Sequence, residues 1–200
     1  ELRMLSHYMD DEDYTNEVIN GDIHTANQNL AGLESRSQAK TFIYALLYGA
    51  GDEKLGSVAG GGRSVGTRLR QSFFDNLPSF TALKNKVARA STRGYLKGLD
   101  GRKLFVRSEH SALNTLLQGA GAIVMKQALV MFDKALSDNK LDAKFVCNVH
   151  DEWQVEALEA HAERVGMLGV DAIIAAGKHL SLNCPLDGEY NVGNNWSETH

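Results

Sequence analysis

Arg36-Ser-Gln-Ala-Lys40-Thr-Phe-Ile-Tyr44-Ala-Leu-Leu-Tyr48-Gly49 is the stretch from which the rest of the chain is read. At about 100° per residue, Ala39, Phe42, Ile43, Leu46 and Leu47 fall in one apolar sector, and Arg36, Lys40, Tyr44 and Tyr48 fall in the sector beside it. The spacing predicts an amphipathic helix with two cations followed by two phenols along one stripe. At a rise of roughly 1.5 Å per residue, Arg36 and Tyr44 stand about 12 Å apart, close to the reach of a nucleoside triphosphate from terminal phosphate to base. A guanidinium offers a planar fork for phosphate oxygens, an ammonium a point charge, and a phenol ring a flat surface for sugar or base. An amphipathic helix whose polar face merely holds these residue types has the same spacing, and periodicity alone does not choose between the two.

Upstream of this stretch, Leu2, Leu5 and Met9 suggest a helix from Glu1 into the acidic run Asp10–Asp13, which reads as a solvated loop. Asn20-Gly-Asp22 punctuates the chain, and Asp22 is placed to cap a short helix carrying Ile23, His24 and Leu30. Ser35 or a neighbour caps the central helix, which stops at Gly49. Downstream, helices are expected over 66–74 and 78–93, broken at Asn76-Leu-Pro78. Asp100-Gly101 then turns a hairpin between 94–98 and 103–107. Ser111 is placed to cap a long helix from Ala112 to about Ser137, with Asn114 and Gln118 four apart on one face. Two such amides suit the acceptors that every base pair shows in the minor groove. Lys144–Val149 and Glu152–Val155 read as a buried hairpin with His150-Asp151 at its tip. Adjacent strand residues face opposite sides, so one of Asp151 and Glu152 would be the principal ligand of any metal there. A helix over 160–179, stopped near Gly177, and a short strand over 186–190 complete the pattern.

Two hundred residues with 43% hydrophobic content suffice for one sizeable core. No apolar run approaches the roughly 20 residues of a membrane span, and nothing at the start resembles a signal peptide. The expectation is therefore a soluble protein with no membrane partner. Cys147 and Cys184 lack ligand spacing and read as small apolar groups in a reducing compartment. The net charge of −4 conceals a segregation: residues 61–110 carry eleven Lys/Arg against three acids, a net +8, and the remainder carries −12. A basic block of this kind is the footprint expected for a phosphate backbone, and a solvated basic face would look the same.

Taken in order, these motifs resemble the C-terminal half of the polymerase domain of family A DNA polymerases. Arg36-x3-Lys40-x3-Tyr44-x3-Tyr48-Gly49 is similar to the family's fingers helix, and Val149-His-Asp-Glu152 to its palm hairpin. Glu1-Leu-Arg3 looks like the end of the first palm motif. Asp22-Ile-His24 and Leu113-Asn-x3-Gln118-Gly119 resemble further signatures, and Asn195-Trp196…His200 the family's terminus. Lys40-Thr-Phe-Ile-Tyr44 and Tyr48-Gly-Ala-Gly-Asp-Glu-Lys54 look more like the bacteriophage replicative branch than bacterial DNA polymerase I. The implied fold is α+β: a helical fingers subdomain with part of an antiparallel palm sheet, an incomplete right-hand polymerase fold. Residues 1–23 would end the first palm motif and link onward, 24–93 would form the fingers, and 94–200 the palm.

The resemblance also implies roles. Arg36, Lys40 and His24 would bind the incoming triphosphate, with Lys40 also protonating the leaving pyrophosphate. Tyr44 would lie against sugar and base, and Tyr rather than Phe there goes with acceptance of dideoxynucleotides. Glu1 would block a ribose 2′-hydroxyl and hydrogen-bond Tyr48. Asn114, Gln118, His150 and Arg107 would contact DNA. Asp151, with Glu152 as ancillary, would help hold two Mg²⁺ ions roughly 3.5–4 Å apart for in-line transfer of deoxynucleotides from dNTPs to a primer on a template. A processivity factor would bind upstream of this segment, and the enzyme would work in the cytoplasm, that of a host cell if phage-encoded.

The family's other essential aspartate lies five residues before the Glu that corresponds to Glu1. The expectation is that the full-length parent polymerises DNA and that this segment alone is inactive or weakly active. The alternatives are a nucleotide- or DNA-binding module without catalysis, and a metal-dependent phosphohydrolase built on His150, Asp151 and Glu152. The second needs a further ligand cluster, and none stands at the right spacing. A purely structural helical protein would leave the charge segregation and the stripe unexplained.

Overall fold

The computed structural model describes residues 1–199. His200, part of the expected family terminus, lies outside the described residues. The chain divides into two compact units, Glu1–Gly119 and Ala120–His200.

The first unit is helical, with α1 (Leu2–Met9), α2 (Glu12–Asn20), α3 (Ile23–Ala31), α4 (Arg36–Leu47), α5 (Asp52–Val58), α6 (Arg63–Asn76) and α7 (Pro78–Ser91). A small hairpin of β1 (Tyr95–Lys97) and β2 (Lys103–Phe105) follows, then the first turns of α8 (Glu109–Asp138). The apolar sector expected of α4 is its buried face: Ala39, Phe42, Ile43, Leu46 and Leu47 are all buried. Phe42 meets Phe73 of α6 edge-on at 5.9 Å, and Phe73 meets Phe80 of α7 edge-on at 5.3 Å. Each such ring contributes about 1.5–3 kcal/mol by leaving water, so this aromatic ladder fixes α4 against α6 and α7.

Helices α5 and α6 touch backbone to backbone. A Cβ on Gly66 would lie 1.8 Å from the Asp52 carbonyl oxygen and 2.7 Å from the Gly56 nitrogen. Since backbone cannot step aside as a side-chain tip can, Gly66→Ala is expected to destabilise the protein by about 2–3 kcal/mol. Thermal and urea unfolding would measure this, and an unchanged midpoint would show that the two helices separate freely.

Several local expectations change. The acidic run is not a loop: Asp10 ends α1 at φ 53°, Asp11 caps α2 by accepting from Tyr14 N at 3.0 Å, and Glu12 and Asp13 form the first turn. Carboxylates suit a helix N-terminus, where unpaired N–H groups and the helix dipole favour negative charge. Helix α8 begins at Glu109, before Ser111, whose Oγ donates to the Ser108 carbonyl at 2.9 Å instead of capping from outside the helix. By length and composition α8 is apolar enough to cross a bilayer. Gln118, Lys126 and Gln127 interrupt it, however, and Leu117, Val124 and Phe132 are buried in protein. That is the pattern of a core helix.

In the second unit, β3 (Ala143–Val149) pairs antiparallel with β4 (Glu152–Ala157), and α9 (Ala162–His179) and the short α10 (Trp196–Thr199) follow. Phe132, Leu136, Val165, Leu168 and Ala172 form its core, with Trp153 and Val155 packed against them. The hairpin is half-covered and not buried. The register shifts between Phe145 and Cys147, so Val146 is an extra residue and stands 66% exposed. Gly177 lies inside α9 and does not end it, and Leu186 packs directly over it. The expected strand at 186–190 pairs with no other strand among the described residues. It is an extended segment held on α9, with Tyr190 Oη donating to Glu163 Oε2 at 2.7 Å.

Candidate functional site

The α4 stripe is positioned by a capping box. Ser35 accepts from Gln38 N, and the Gln38 side chain reaches back to Ser35 N at 3.2 Å. Arg36 therefore occupies the first helical turn, with Lys40, Tyr44 and Tyr48 following at one-turn intervals. Arg36 and Lys40 are both exposed, and Lys40 makes no ion pair among the described residues. Tyr44 is half-buried, 6.3 Å from the Tyr48 ring and 6.4 Å from the His24 ring.

The neighbouring α3 supplies His24. Asp22 caps α3, accepting from His24 N at 3.1 Å and Thr25 N at 3.4 Å, and this sets His24 at the start of the helix. The same carboxylate pairs with Arg36 Nε at 2.7 Å. Arg36, and then Thr25, hold the Asp22 carboxyl well below the usual carboxylate range, and Asp22 in turn raises the Arg36 guanidinium. Burial lowers the His24 imidazole, and the charges of Arg36 and Lys40 lower it further, against a smaller opposing effect of Asp22. Two cations thus work with burial to favour the neutral form of the His24 ring, and its Nδ1 is buried with no hydrogen-bond partner among the described residues. An anion placed beside these cations would favour protonation of His24 and add a third positive group.

At the other end of the stripe, Tyr48 Oη donates to Glu1 Oε1 at 3.1 Å and Oε2 at 3.0 Å. Burial, followed by this hydrogen bond, raises the Tyr48 phenol, so it stays a donor at any ordinary pH. Gly49 follows at φ 79°, where a Cβ would lie 2.6 Å from the His110 carbonyl oxygen. Only glycine lets α4 end this close to the start of α8. Asn114 is half-exposed and Gln118 exposed, neither amide has a hydrogen-bond partner among the described residues, and Arg107 is exposed. Their groups are open to a ligand from solvent.

The second unit carries the hairpin tip. His150 takes φ 52° and is exposed, and Asp151 beside it is exposed and unpaired among the described residues. Glu152 opens β4 and is already engaged: its Oε1 accepts from Gln154 Nε2 at 2.5 Å and from Trp196 Nε1 at 3.1 Å. Thr199 extends this network by donating to Gln154 Oε1 at 3.1 Å. The two adjacent acids thus have different environments.

Divalent ions such as Mg²⁺ need several hard oxygen donors converging on one point. Among the described residues no group of three or more His, Cys, Asp or Glu stands close enough to hold a metal. Asp151 suits such an ion as one donor, but the described residues do not make a two-ion centre by themselves.

Two contributors were not foreseen in the sequence. The pairing of Asp22 with Arg36 joins residues fourteen apart through the packing of α3 on α4, and only the capping half of Asp22's role has a local signal. Trp196 and Gln154 on Glu152 join the terminus to the hairpin. The i, i+2 spacing of Glu152 and Gln154 on one strand face is the single clue the sequence holds.

The family model for DNA polymerase family A matches residues 1–198. The chain is 40% identical to the DNA-directed DNA polymerases of Enterobacteria phage T3 and Escherichia phage T7, across 100% of its own length and 32% of theirs. It is 29% identical to DNA polymerase I of Pseudomonas aeruginosa, across 100% of its length and 24% of that protein. Its fold superposes with a TM-score of 0.81 on the POL domain of Pol1 from M. smegmatis, solved in complex with DNA primer-template and dNTP, at 22% identity over 93% of this chain and 36% of that one. The chain spans about a third of the length of the phage relatives. With a match running from Glu1 to Glu198 and the fold of a Pol1 polymerase domain, the chain belongs to DNA polymerase family A.

Proposed function

We propose that this chain is the fingers-and-palm part of a DNA-directed DNA polymerase, and that the full-length protein transfers deoxynucleotides from dNTPs to a primer 3′-hydroxyl under template direction. The observation that carries this reading is the surface on α3 and α4 where Arg36, Lys40 and Tyr44 follow one another at one-turn intervals and the His24 ring stands 6.4 Å from the Tyr44 ring. Cations at one end and a ring at the other match the polyanionic and flat ends of a nucleotide. Residues 24–93 are assigned to the fingers and residues 94–200 to the palm, with 1–23 ending the first palm motif and linking onward.

Arg36, Lys40 and His24 take the phosphates. Tyr44 lies under sugar and base, and Tyr48 holds the Glu1 carboxylate where a ribose 2′-hydroxyl would fall. A deoxynucleotide fits such a site, whereas a ribonucleotide brings a hydroxyl against a carboxylate already occupied by Tyr48. In the transfer, the primer 3′-hydroxyl gives up its proton to water as its oxygen bonds to the α-phosphorus, the bond from that phosphorus to the β-phosphate bridging oxygen breaks, and pyrophosphate leaves. Lys40 stabilises its charge and supplies a proton to it. Asn114, Gln118, Arg107 and His150 contact primer-template, with the basic residues of 61–110 providing the salt-sensitive part of the affinity. A bound divalent ion would offset phosphate charge and polarise phosphoryl oxygens, and Asp151 is the donor assigned to it, with Glu152 ancillary. The cytoplasm is the proposed place of action, and a processivity factor would bind outside this segment.

The test is primer extension by the full-length polymerase on a primed template with four dNTPs. Product whose sequence follows the template supports the reading. Binding of DNA and nucleotide without product would leave a binding module, and phosphate release without template would indicate a phosphohydrolase. The isolated 200-residue chain should extend the same primer far more slowly, because Asp151 stands without a second principal carboxylate among the described residues.

A further inference from the structure

Asp22 belongs neither to the groups assigned to the nucleotide nor to those assigned to metal, yet it joins two of the former. Its Oδ1 accepts from His24 N at 3.1 Å and Thr25 N at 3.4 Å, and its Oδ2 accepts from Thr25 Oγ1 at 2.9 Å and Arg36 Nε at 2.7 Å. Three donors in the first turn of α3 thus lock the carboxylate, and the fourth is the guanidinium at the first position of α4. We propose that Asp22 is a positioning residue for the incoming nucleotide, holding the Arg36 guanidinium in its phosphate-binding orientation before the nucleotide arrives. This rests on the nucleotide-binding reading of Arg36.

Preorganisation is the physical basis of this role. The Arg36 side chain is 57% exposed. Left alone, a long exposed arginine samples many rotamers, and ordering it on binding lowers affinity by about three- to tenfold. Pairing through Nε spends one of the five guanidinium N–H groups and leaves the four on the Nη atoms, the edge suited to bidentate contact with phosphate oxygens. A free carboxylate at this place would repel a triphosphate. Here its charge is matched by Arg36 and its lone pairs by α3, so the pair is a fixed neutral bracket from which the remaining donors project. The same carboxylate caps the helix that carries His24, so both phosphate-facing groups take their position from Asp22. Exposed ion pairs add little to stability, and Asn caps a helix about as well as Asp. Asp22→Asn therefore removes the bracket without removing the cap.

The experiment is single-nucleotide incorporation by the full-length polymerase, with KM for dNTP and kcat measured separately for Asp22→Asn, Arg36→Ala and the double variant. Asp22→Asn is expected to raise KM for dNTP by about three- to tenfold with kcat within about twofold and the thermal midpoint unchanged. In the Arg36→Ala background it should add nothing, since its partner is gone. Asp22→Ser, which also caps, should behave as Asp22→Asn. If Arg36→Ala leaves KM unchanged, the nucleotide reading of Arg36 falls and this proposal with it. If Arg36→Ala raises KM while Asp22→Asn leaves it unchanged or lowers it, the proposal alone falls, as it does if Asp22→Asn acts equally in both backgrounds.

Discussion

Replacing Asp151 by Asn in the full-length polymerase is expected to reduce primer extension by about 10³-fold while leaving DNA affinity, dNTP affinity and the unfolding midpoint close to those of the parent. Asn has the shape of Asp and lacks only its charge, so the substitution isolates electrostatics. Asp151 is exposed at the turn between β3 and β4, outside the core, and it makes no hydrogen bond among the described residues. Nothing in the fold depends on its carboxylate, so a large loss would report chemistry. The neighbouring acid is a built-in control. Glu152 is tied to Gln154 and Trp196, and Glu152→Gln keeps an oxygen able to accept from both, so a loss of about tenfold or less is expected there. Single-turnover incorporation with saturating dNTP would measure both variants. Parent-like turnover in Asp151→Asn would remove Asp151 from the reaction centre, and equal losses in the two variants would mean that the hairpin tip, not one carboxylate, is at stake.

What could be read from the sequence follows the range of the interactions involved. The α4 stripe was legible because a helix repeats every 3.6 residues: the five apolar residues named from spacing are the five that are buried. The Asp22 cap was legible because a cap acts over three residues. The contact of Glu1 with Tyr48 crosses forty-seven residues and no local pattern encodes it; only the family resemblance suggested it. The pairing of Asp22 with Arg36, fourteen residues apart, is likewise encoded by no local pattern. Four carboxylates in a row suggest solvation, whereas Asp11 is used as a cap and also accepts from Ser79 Oγ at 2.6 Å. The segment at 186–190 has the composition of a strand, but a strand exists only with a partner, and this segment lies on α9 instead. The bulge at Val146 interrupts the alternation that would otherwise have shown which face of β3 is covered.

Lys40→Met is expected to lower kcat by about 10²–10⁴-fold, more than it raises KM for dNTP. Lys40 stands one turn from Arg36 and one turn from Tyr44, so on the proposed ligand it lies between the terminal phosphate and the sugar. Negative charge grows there on the leaving oxygen as the bond to the α-phosphorus breaks. An interaction that strengthens in the transition state appears in kcat, whereas one made equally with bound substrate appears in KM. Arg36, bracketed by Asp22 before any ligand arrives, belongs to the second kind. Lys40, exposed and outside any ion pair among the described residues, belongs to the first. Lys40→Arg separates its two contributions, because a guanidinium keeps the positive charge but does not give up a proton at any accessible pH. If proton delivery to pyrophosphate matters, Lys40→Arg should recover KM and recover kcat only in part. If it restores kcat in full, Lys40 acts through charge alone. The measurement is single-nucleotide incorporation by the full-length polymerase, resolved into kcat and KM for parent, Lys40→Met and Lys40→Arg. A Lys40→Met variant with parent-like kcat would remove Lys40 from the transition state and leave the α4 stripe a binding surface only.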